Sequence, residues 1–446
     1  MKIIIAGAGA VGTHLAKLLS REKHDITVID QNPERLSYLA NNYDIMAKAF
    51  SPISIEGLRN ANIADTDLFI GVTPQETDNL TACILAHKMG AKKTVARVNT
   101  YEYIDKKNQL LFKDMGIDSI ILPEMIAAQE IASSVSRSWI RQWWEVEHSD
   151  LVMMGIKVRG NSRILNKPLK ELCGPESPYH IVAIKRLGET IIPHGNDLIL
   201  AYDLVFFMTT RKYIPYIREI TGKEDLPDVK NVVIMGGSIT SVFTSHLLPD
   251  YMKVKIIEKD EQRCRQLFEQ INNKKVMIIH GDGRDMSLLT DENIPNAEAF
   301  VSLTSSSETN LLSCLAAKRM NIHKTVAMID NANFVSMGES LDIGTLINKQ
   351  NIAASYIYQM MLKADVSNVK SLVVANADVA EFNVKEGSKI TRKPIKDLKL
   401  PQSSTLGGLV RNGQGYLING NTIIQPGDRV VAVCIGNDLR NLSSFF

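Results

Sequence analysis

Three glycines near the start of the chain, Gly7, Gly9 and Gly12, stand in the spacing Gly-x-Gly-x-x-Gly, directly behind the β-branched run Ile3-Ile4-Ile5. Val11, Leu15, Leu18 and Leu19 follow on one face of an amphipathic helix. A strand, a glycine turn and a helix in this order suit a dinucleotide. Gly7 permits the tight bend, Gly9 lets the backbone approach a pyrophosphate, and Gly12 allows the helix to pack closely. The helix N-terminus then offers free N–H groups and a partial positive charge to the phosphates. Asp30 closes the next apolar run, Ile26-Thr27-Val28-Ile29, near the expected twenty residues after the glycines. Its carboxylate can accept both ribose hydroxyls of an adenosine and would repel a 2′-phosphate, so the expected ligand is NAD(H) rather than NADP(H). Thr73 and Pro74, beyond a fourth apolar run, lie where doubly wound sheets gather ligand contacts. Arg97, near the end of a fifth, suits either a phosphate or a salt bridge.

The same unit recurs. Val232-Val233-Ile234-Met235 runs into Gly236-Gly237-Ser238-Ile239-Thr240-Ser241, and Glu258 stands where Asp30 stood. Glu76-Thr77-Asp78-Asn79-Leu80 is echoed by Ser307-Glu308-Thr309-Asn310-Leu311, and Lys93-Thr94-Val95-Ala96 by Lys324-Thr325-Val326-Ala327. Such agreement, with the offset drifting only from 228 between Asp30 and Glu258 to 231 between Asn79 and Asn310, means a duplicated domain. The second glycine turn is worn: Ser238 and Ser241 replace two of the glycines, which should crowd the pyrophosphate path and weaken or abolish dinucleotide binding. Glu258 is still able to hold a ribose, so the second copy is either a nucleotide site or a purely structural one. Gly281-Asp282 aligns with Phe50-Ser51, a divergence that would let the two copies see different ligands. Asn79 and Asn310, recurring with Glu76 and Glu308, read equally well as ligand contacts or as helix-capping chemistry.

Short β-branched runs alternate with helical spacing through the first quarter, which implies a parallel sheet covered on both faces. After about Ser136 the pattern changes to short runs with Gly and Pro turns. That segment recurs too, Val158 to Leu172 matching Val384 to Leu398. The expected fold is therefore α/β: two Rossmann-like doubly wound parallel-sheet domains, each followed by a small α+β lobe. The expected boundaries are 1–135, 140–222, 229–350 and 367–446, with the polar stretch Thr221 to Asp228 as the linker between halves. The 446 residues, 45% of them apolar, suffice for that many cores. The 51 basic and 49 acidic residues are interspersed, a balance that gives no footprint for nucleic acid. No run approaches a membrane span and the first strand leaves no room for a signal peptide, so a soluble cytoplasmic protein is expected. Five scattered cysteines and nine histidines without ligand spacing argue against a disulfide framework or a metal site.

A dehydrogenase needs an acid or base beside its substrate, and no convergent His, Lys or Tyr cluster is identifiable in the companion lobes. Binding without turnover is the better reading. With these motifs laid out, the chain resembles the regulatory NAD-binding subunits of Trk-type potassium uptake systems, the TrkA family, built from tandem RCK domains. The resemblance rests on Gly7 to Gly12, Asp30, Glu76 to Cys83, Ala96-Arg97-Val98, the second Rossmann copy, and the Lys167-Pro168 and Lys393-Pro394 modules. It implies that Gly7, Ala8, Gly9, Ala10, Val11, Gly12, Asp30, Thr73, Pro74, Arg97 and Val98 line a nucleotide site, with Glu258 the remnant of a second. It further implies NAD(H) as cofactor, with ATP or ADP as further candidates. The implied assembly is a homo-oligomeric ring, held peripherally on the inner face of the cell membrane, that gates a potassium-translocating, TrkH-like subunit. Two rival functions are regulation of another cation transporter or antiporter, and an NAD-dependent oxidoreductase with a decayed second half. Trp139 to Trp144 and the helix around Ile352 to Leu362 are candidate assembly surfaces, or else pack inside one chain.

Overall fold

In the computed structural model all residues are described except 21–23, 175, 331–332, 362–365, 373–376 and 436–437. The chain forms two compact bodies, Met1–Ile126 with Lys349–Met361, and Ala127–Asn348 with Leu362–Phe446.

In the first body, strands β1 (Lys2–Ala6), β2 (Asp25–Asp30), β3 (Met46–Ala49), β4 (Leu68–Gly71), β5 (Thr94–Arg97) and β6 (Ser119–Ile121) alternate with helices. These are α1 (Ala10–Ser20), α2 (Pro33–Asn42), α3 (Ile55–Asn60), α4 (Glu76–Lys88), α5 (Gln109–Asp114) and α6 (Pro123–Val135), the last of which runs on into the second body. The strand order 3-2-1-4-5-6, all parallel, is that of a doubly wound dinucleotide fold. A parallel strand is covered on both faces, which is why Ile3, Ile4 and Ile5 are all buried. Ile3 and Ile5 join Leu15, Leu19, Val28 and Ile70 on one side. Ile4 joins Ile29, Phe69 and Ala82 on the other. Each such side chain contributes about 1.5–3 kcal/mol. Asn32 caps α2 by accepting from the amides of Glu34 and Arg35, with Pro33 at the first helical position.

The second body begins with an antiparallel sheet of β7 (Gln142–Glu145), β8 (Leu151–Lys157), β9 (Tyr179–Arg186), β10 (Glu189–Ile191) and β11 (Leu204–Thr210). Helices α7 (Leu169–Leu172) and α8 (Ile214–Ile220) accompany it. Next comes a second Rossmann sheet, β12 (Asn231–Met235), β13 (Lys253–Glu258), β14 (Val276–His280), β15 (Ala299–Ser302), β16 (Lys324–Met328) and β17 (Thr345–Ile347), again in the order 3-2-1-4-5-6. Its helices are α9 (Ile239–Leu247), α10 (Glu261–Gln270), α11 (Met286–Asp291), α12 (Ser307–Arg319) and α13 (Asn333–Ser340). After α14 (Lys349–Met361), the last sheet comprises β18 (Val366–Leu372), β19 (Ala377–Asn383), β20 (Ser404–Arg411), β21 (Gln414–Leu417) and β22 (Arg429–Ile435), closed by α15 (Asp438–Ser443). The two antiparallel sheets share a core in which Met153, Phe206 and Met208 meet Val379, Val431 and Val433. Each carries the same ion pair of a buried aspartate with a partly exposed arginine, Asp203 with Arg186 and Asp428 with Arg411, both at 2.7 Å.

Two of these expectations are refined. The stretch Thr221 to Asp228 joins α8 to β12 as a linker, but its start is packed: Thr221 is fully buried, Lys223 is 8% exposed, and Arg218 donates to the carbonyls of Lys223 and Leu226, while Glu224, Asp225 and Asp228 are exposed. The apolar faces proposed for assembly are used inside the chain. Ala353, Ala354 and Ile357 of α14 are buried in the core that holds α1, while Ile140 and Trp144 are buried within the second body. Leu362 lies outside the described residues. The reason is common to both cases, since each face has an apolar neighbour of its own chain to cover it.

Candidate functional site

At the carboxyl edge of the first sheet, the turn after β1 meets the ends of β2, β4 and β5. Gly7 has φ +116, and a Cβ there would lie 2.9 Å from the amide nitrogen of Thr73 and 3.0 Å from the carbonyl carbon of Val72. A Cβ on Gly12 would sit 1.8 Å from the Gly7 carbonyl oxygen. Both glycines are thus required by the fold, Gly12 by contact with the turn itself more than with the strand. Gly9 is different: nothing of the protein lies within 4 Å of where its Cβ would be, so its surface is open for a ligand's approach.

Asp30 reaches the turn directly. Its Oδ2 accepts from the Ala8 amide at 2.6 Å and its Oδ1 from the Asn32 amide at 2.8 Å. Each carboxylate oxygen keeps a further lone pair, so ribose hydroxyls can still be accepted. Helix α1 begins beside it at Ala10; Val11 is buried and Ala10 exposed.

The other edge of the crevice is organised by Asn79, a buried residue inside α4. Its Oδ1 accepts from the Thr73 amide and hydroxyl, both at 2.8 Å, and its Nδ2 donates to the carbonyls of Thr73 at 3.0 Å and Arg97 at 2.9 Å. It therefore clamps the end of β4 to the end of β5. Glu76 extends the clamp, accepting from the amides of Asn99 and Thr100 at 2.8 and 3.0 Å. Neither side chain caps α4, so of the two readings open in the sequence the capping one falls. Pro74 offers its carbonyl to Asn99 Nδ2 at 3.2 Å, and Val98 is buried beneath. Arg97 contacts Asn99 at 3.4 Å and Glu124 at 3.5 Å, while its Nε is buried without a partner among the described residues. Both readings of Arg97 find support: a salt bridge exists, and unused donor capacity remains.

The second copy keeps the frame and changes the cradle. Asn310 repeats the clamp, bonding Thr304 and the carbonyl of Met328, and Ser307 replaces Glu76 by accepting from the Asp330 amide. Glu258 accepts from Gly237 at 2.6 Å and from Asp260 at 2.9 Å, as Asp30 does from Ala8 and Asn32. Ser238, however, turns back on the helix and accepts from the Ser241 amide, while the Ser241 hydroxyl donates to the Gly236 carbonyl at 2.6 Å. Ser238 thus caps α9 with the chain's own oxygen, and Ser241 ties the helix to the turn. Arg263 also closes on the turn, donating to the Gly237 carbonyl at 2.6 Å, whereas the matching Arg35 is exposed.

The Phe50 divergence has a steric explanation. A Cβ on Gly57 would meet the Phe50 ring at 2.3 Å, and a Cβ on Gly281 would meet Leu288 at 2.5 Å. Phe50 and Gly57 correspond to Gly281 and Leu288, so the bulky side chain simply changes sides. No ligand difference is needed to account for it.

Four of the five free cysteines are buried, and burial pushes the Cys83 and Cys314 thiols up to about 12. Among the described residues no three His, Cys, Asp or Glu side chains group to hold a metal, and no helix is long and apolar enough to cross a membrane.

Two Rossmann sheets, each followed by a small antiparallel sheet, define a tandem RCK-type protein. The solved structures agree: the GsuK RCK domain superposes with a TM-score of 0.62 at 14% identity, covering 99% of this chain and 93% of that one. The GsuK channel bound to NAD gives 0.63 at 14% identity, over 100% and 78%. Residues 3–123 and 232–349 match the TrkA-N domain and residues 379–446 the TrkA-C domain. The Trk system potassium uptake protein TrkA of Halomonas elongata is 30% identical over 441 residues, 98% of this chain and 96% of the relative. A TrkA homolog of Archaeoglobus fulgidus is 26% identical over the whole of both chains. The chain belongs to the TrkA family of potassium uptake proteins.

Proposed function

We propose that the chain is the nucleotide-sensing regulatory subunit of a Trk-type potassium uptake system. It binds NAD(H) at the first glycine turn and biases the gate of a potassium-translocating, TrkH-like membrane subunit from the cytoplasmic side, as a homo-oligomeric ring. The observation that carries the reading is the open surface of Gly9 beside Asp30 at the point where strand order reverses between β1 and β4, on a chain of this family. Gly7, Ala8, Ala10, Val11 and Gly12 form the phosphate cradle, Asp30 holds the adenosine ribose, and Thr73, Pro74, Arg97 and Val98 line the far wall. A 2′-phosphate beside Asp30 would meet a carboxylate, which favours NAD(H) over NADP(H). ADP or ATP fits the same adenosine half, and one GsuK structure is described as bound to ADP. The second turn, capped by Ser238, tied to the helix by Ser241 and covered by Arg263, serves chiefly as framework.

Binding proceeds without turnover in this reading. The polar groups at the strand ends are committed to holding the edge together: Asp30 to Ala8 and Asn32, Glu76 to Asn99 and Thr100, and Asn79 to Thr73 and Arg97. A ligand acts by its different affinity for two states, and driving a gate from 1:99 to 99:1 takes about 5.5 kcal/mol, which a ring can assemble from smaller contributions per subunit. Calorimetric titration of the purified full-length chain tests the site. NADH should bind more tightly than NADPH, and Gly9→Ser should abolish the difference; equal affinity for the two in the wild type would refute the assignment.

A further inference from the structure

Away from both glycine turns, the second body holds a polar cavity of about 370 Å³ between the first antiparallel sheet and the second Rossmann sheet. Five cations surround it: Arg141 just ahead of β7, Lys157 at the end of β8, Arg159 beyond it, Lys223 after α8, and Lys318 near the end of α12. Among the described residues one carboxylate, Asp342, pairs with them, and Glu339 adds a weaker attraction for Lys157. Asp342 pairs with Arg141 at 3.1 Å, with Lys318 at 3.2 Å and with Arg159. Burial opposes its ionisation, yet Arg141, Arg159 and Lys318 hold its carboxyl down at about 2.

That leaves the cations in excess. The ammonium groups of Lys157 and Lys223 form neither a hydrogen bond nor an ion pair with the described residues, although Lys223 is only 8% exposed. An ammonium taken out of water beside two guanidinium groups is unfavourable unless something answers its charge. A residue with no charge would spare the repulsion that Arg141 and Arg159 exert there. The donors converge instead on one space, from a sheet, a loop and a helix end.

We propose that this cavity is an effector site, separate from the first glycine turn, for a small multivalent phosphate anion: an inorganic polyphosphate or the phosphate tail of a nucleotide. Lys157 and Lys223 supply the unanswered charge, and Arg141, Arg159 and Lys318, already oriented by Asp342, supply the flanking donors. Phosphate oxygens outside the Asp342 fork suit guanidinium and ammonium donors alike. An anion seated here would tie the first antiparallel lobe to the second Rossmann lobe.

Calorimetry with inorganic tripolyphosphate, a probe without a ribose or a base, tests the assignment on the full-length chain at low salt. One equivalent should bind, and Lys157→Gln combined with Lys223→Gln should weaken it at least about tenfold for each charge-assisted bond lost. Asp30→Ala should leave it unchanged. Absence of binding to the wild type, equal binding to the lysine variant, or loss of binding in Asp30→Ala would overturn the proposal. A thermal melt guards against misfolding. Without anion the lysine variant should melt at or above the wild-type temperature, and tripolyphosphate should raise the melting point of the wild type alone; a variant that melts well below the wild type would instead show the lysines to be structural. ATP run in parallel separates the sources. Tighter binding than tripolyphosphate assigns a nucleotide, and equal binding assigns the phosphate chain alone.

Discussion

The amide of Ala8 donates to Oδ2 of Asp30 at 2.6 Å, so the residue expected to hold a ribose also holds the glycine turn in place. The same carboxylate binds the Asn32 amide through its other oxygen. Asp30→Ala should weaken NADH at least about tenfold, because charge-assisted hydrogen bonds contribute about 1.5–3 kcal/mol each. It should also loosen the turn, and Asp30→Asn should recover part of that loss without recovering ribose affinity in full. Titration calorimetry alongside a melt without ligand separates the two effects; unchanged affinity in Asp30→Ala would remove Asp30 from the site.

Gly9 and Gly12 should behave oppositely. A side chain at Gly9 meets no protein atom, so Gly9→Ser should keep its unfolding free energy within about 0.5 kcal/mol of wild type while losing nucleotide affinity. Gly12→Ala drives a methyl group into the Gly7 carbonyl and should cost roughly 1–3 kcal/mol of stability by strain. Denaturant titration of both variants checks this, and a strongly destabilised Gly9→Ser would contradict the open surface.

The exchange of bulk between Phe50 with Gly57 and Gly281 with Leu288 predicts a compensated pair. Gly57→Leu alone should be destabilising by about 1–3 kcal/mol through collision with the Phe50 ring. Adding Phe50→Gly should restore much of it, with a coupling of about 0.5–3 kcal/mol in a double-mutant cycle. Additive effects would show that the two residues do not share one space.

The cavity lysines make stability depend on alkaline pH. Burial, then the charges of Arg159 and Arg141, push the Lys223 ammonium down to about 8 from 10.5, against the opposing pull of Asp342. Lys157 and Lys318 shift the same way, burial first. Between about pH 8 and 10.5 the unfolded chain therefore holds a proton that the folded chain has released, so stability rises with pH across that window. Lys223→Gln should flatten the rise in denaturation midpoints. Tripolyphosphate affinity should fall over the same interval.

The repeated sheets were legible because a strand, a glycine turn and an acidic strand end recur in register, and because a fully buried parallel strand writes itself as an unbroken apolar run. The role of Asn79 was not. Its sign in the sequence was an amide recurring at Asn310 inside a helix, where asparagine is unfavourable unless its side chain has a partner. Read from spacing alone, that looks like capping; only the pairing of β4 with β5 reveals a clamp. Ser238 misled in a similar way, since a serine replacing a glycine signals lost space but not that its oxygen will cap α9. The basic cavity left no local trace. Its cations span Arg141 to Lys318, and Lys223 lies in a stretch whose polarity reads as a linker.

The central claim, that a nucleotide on the first glycine turn controls potassium uptake, is tested most directly by flux. Inside-out membrane vesicles carrying the cell's own potassium-translocating subunit would receive the purified chain, and rubidium movement would be followed as NADH is added. The wild-type chain should change the flux as the nucleotide saturates, and Gly9→Ser, folded and present in equal amount, should leave the flux indifferent to NADH. A flux that ignores NADH with the wild-type chain, or that responds equally with both, would contradict the account.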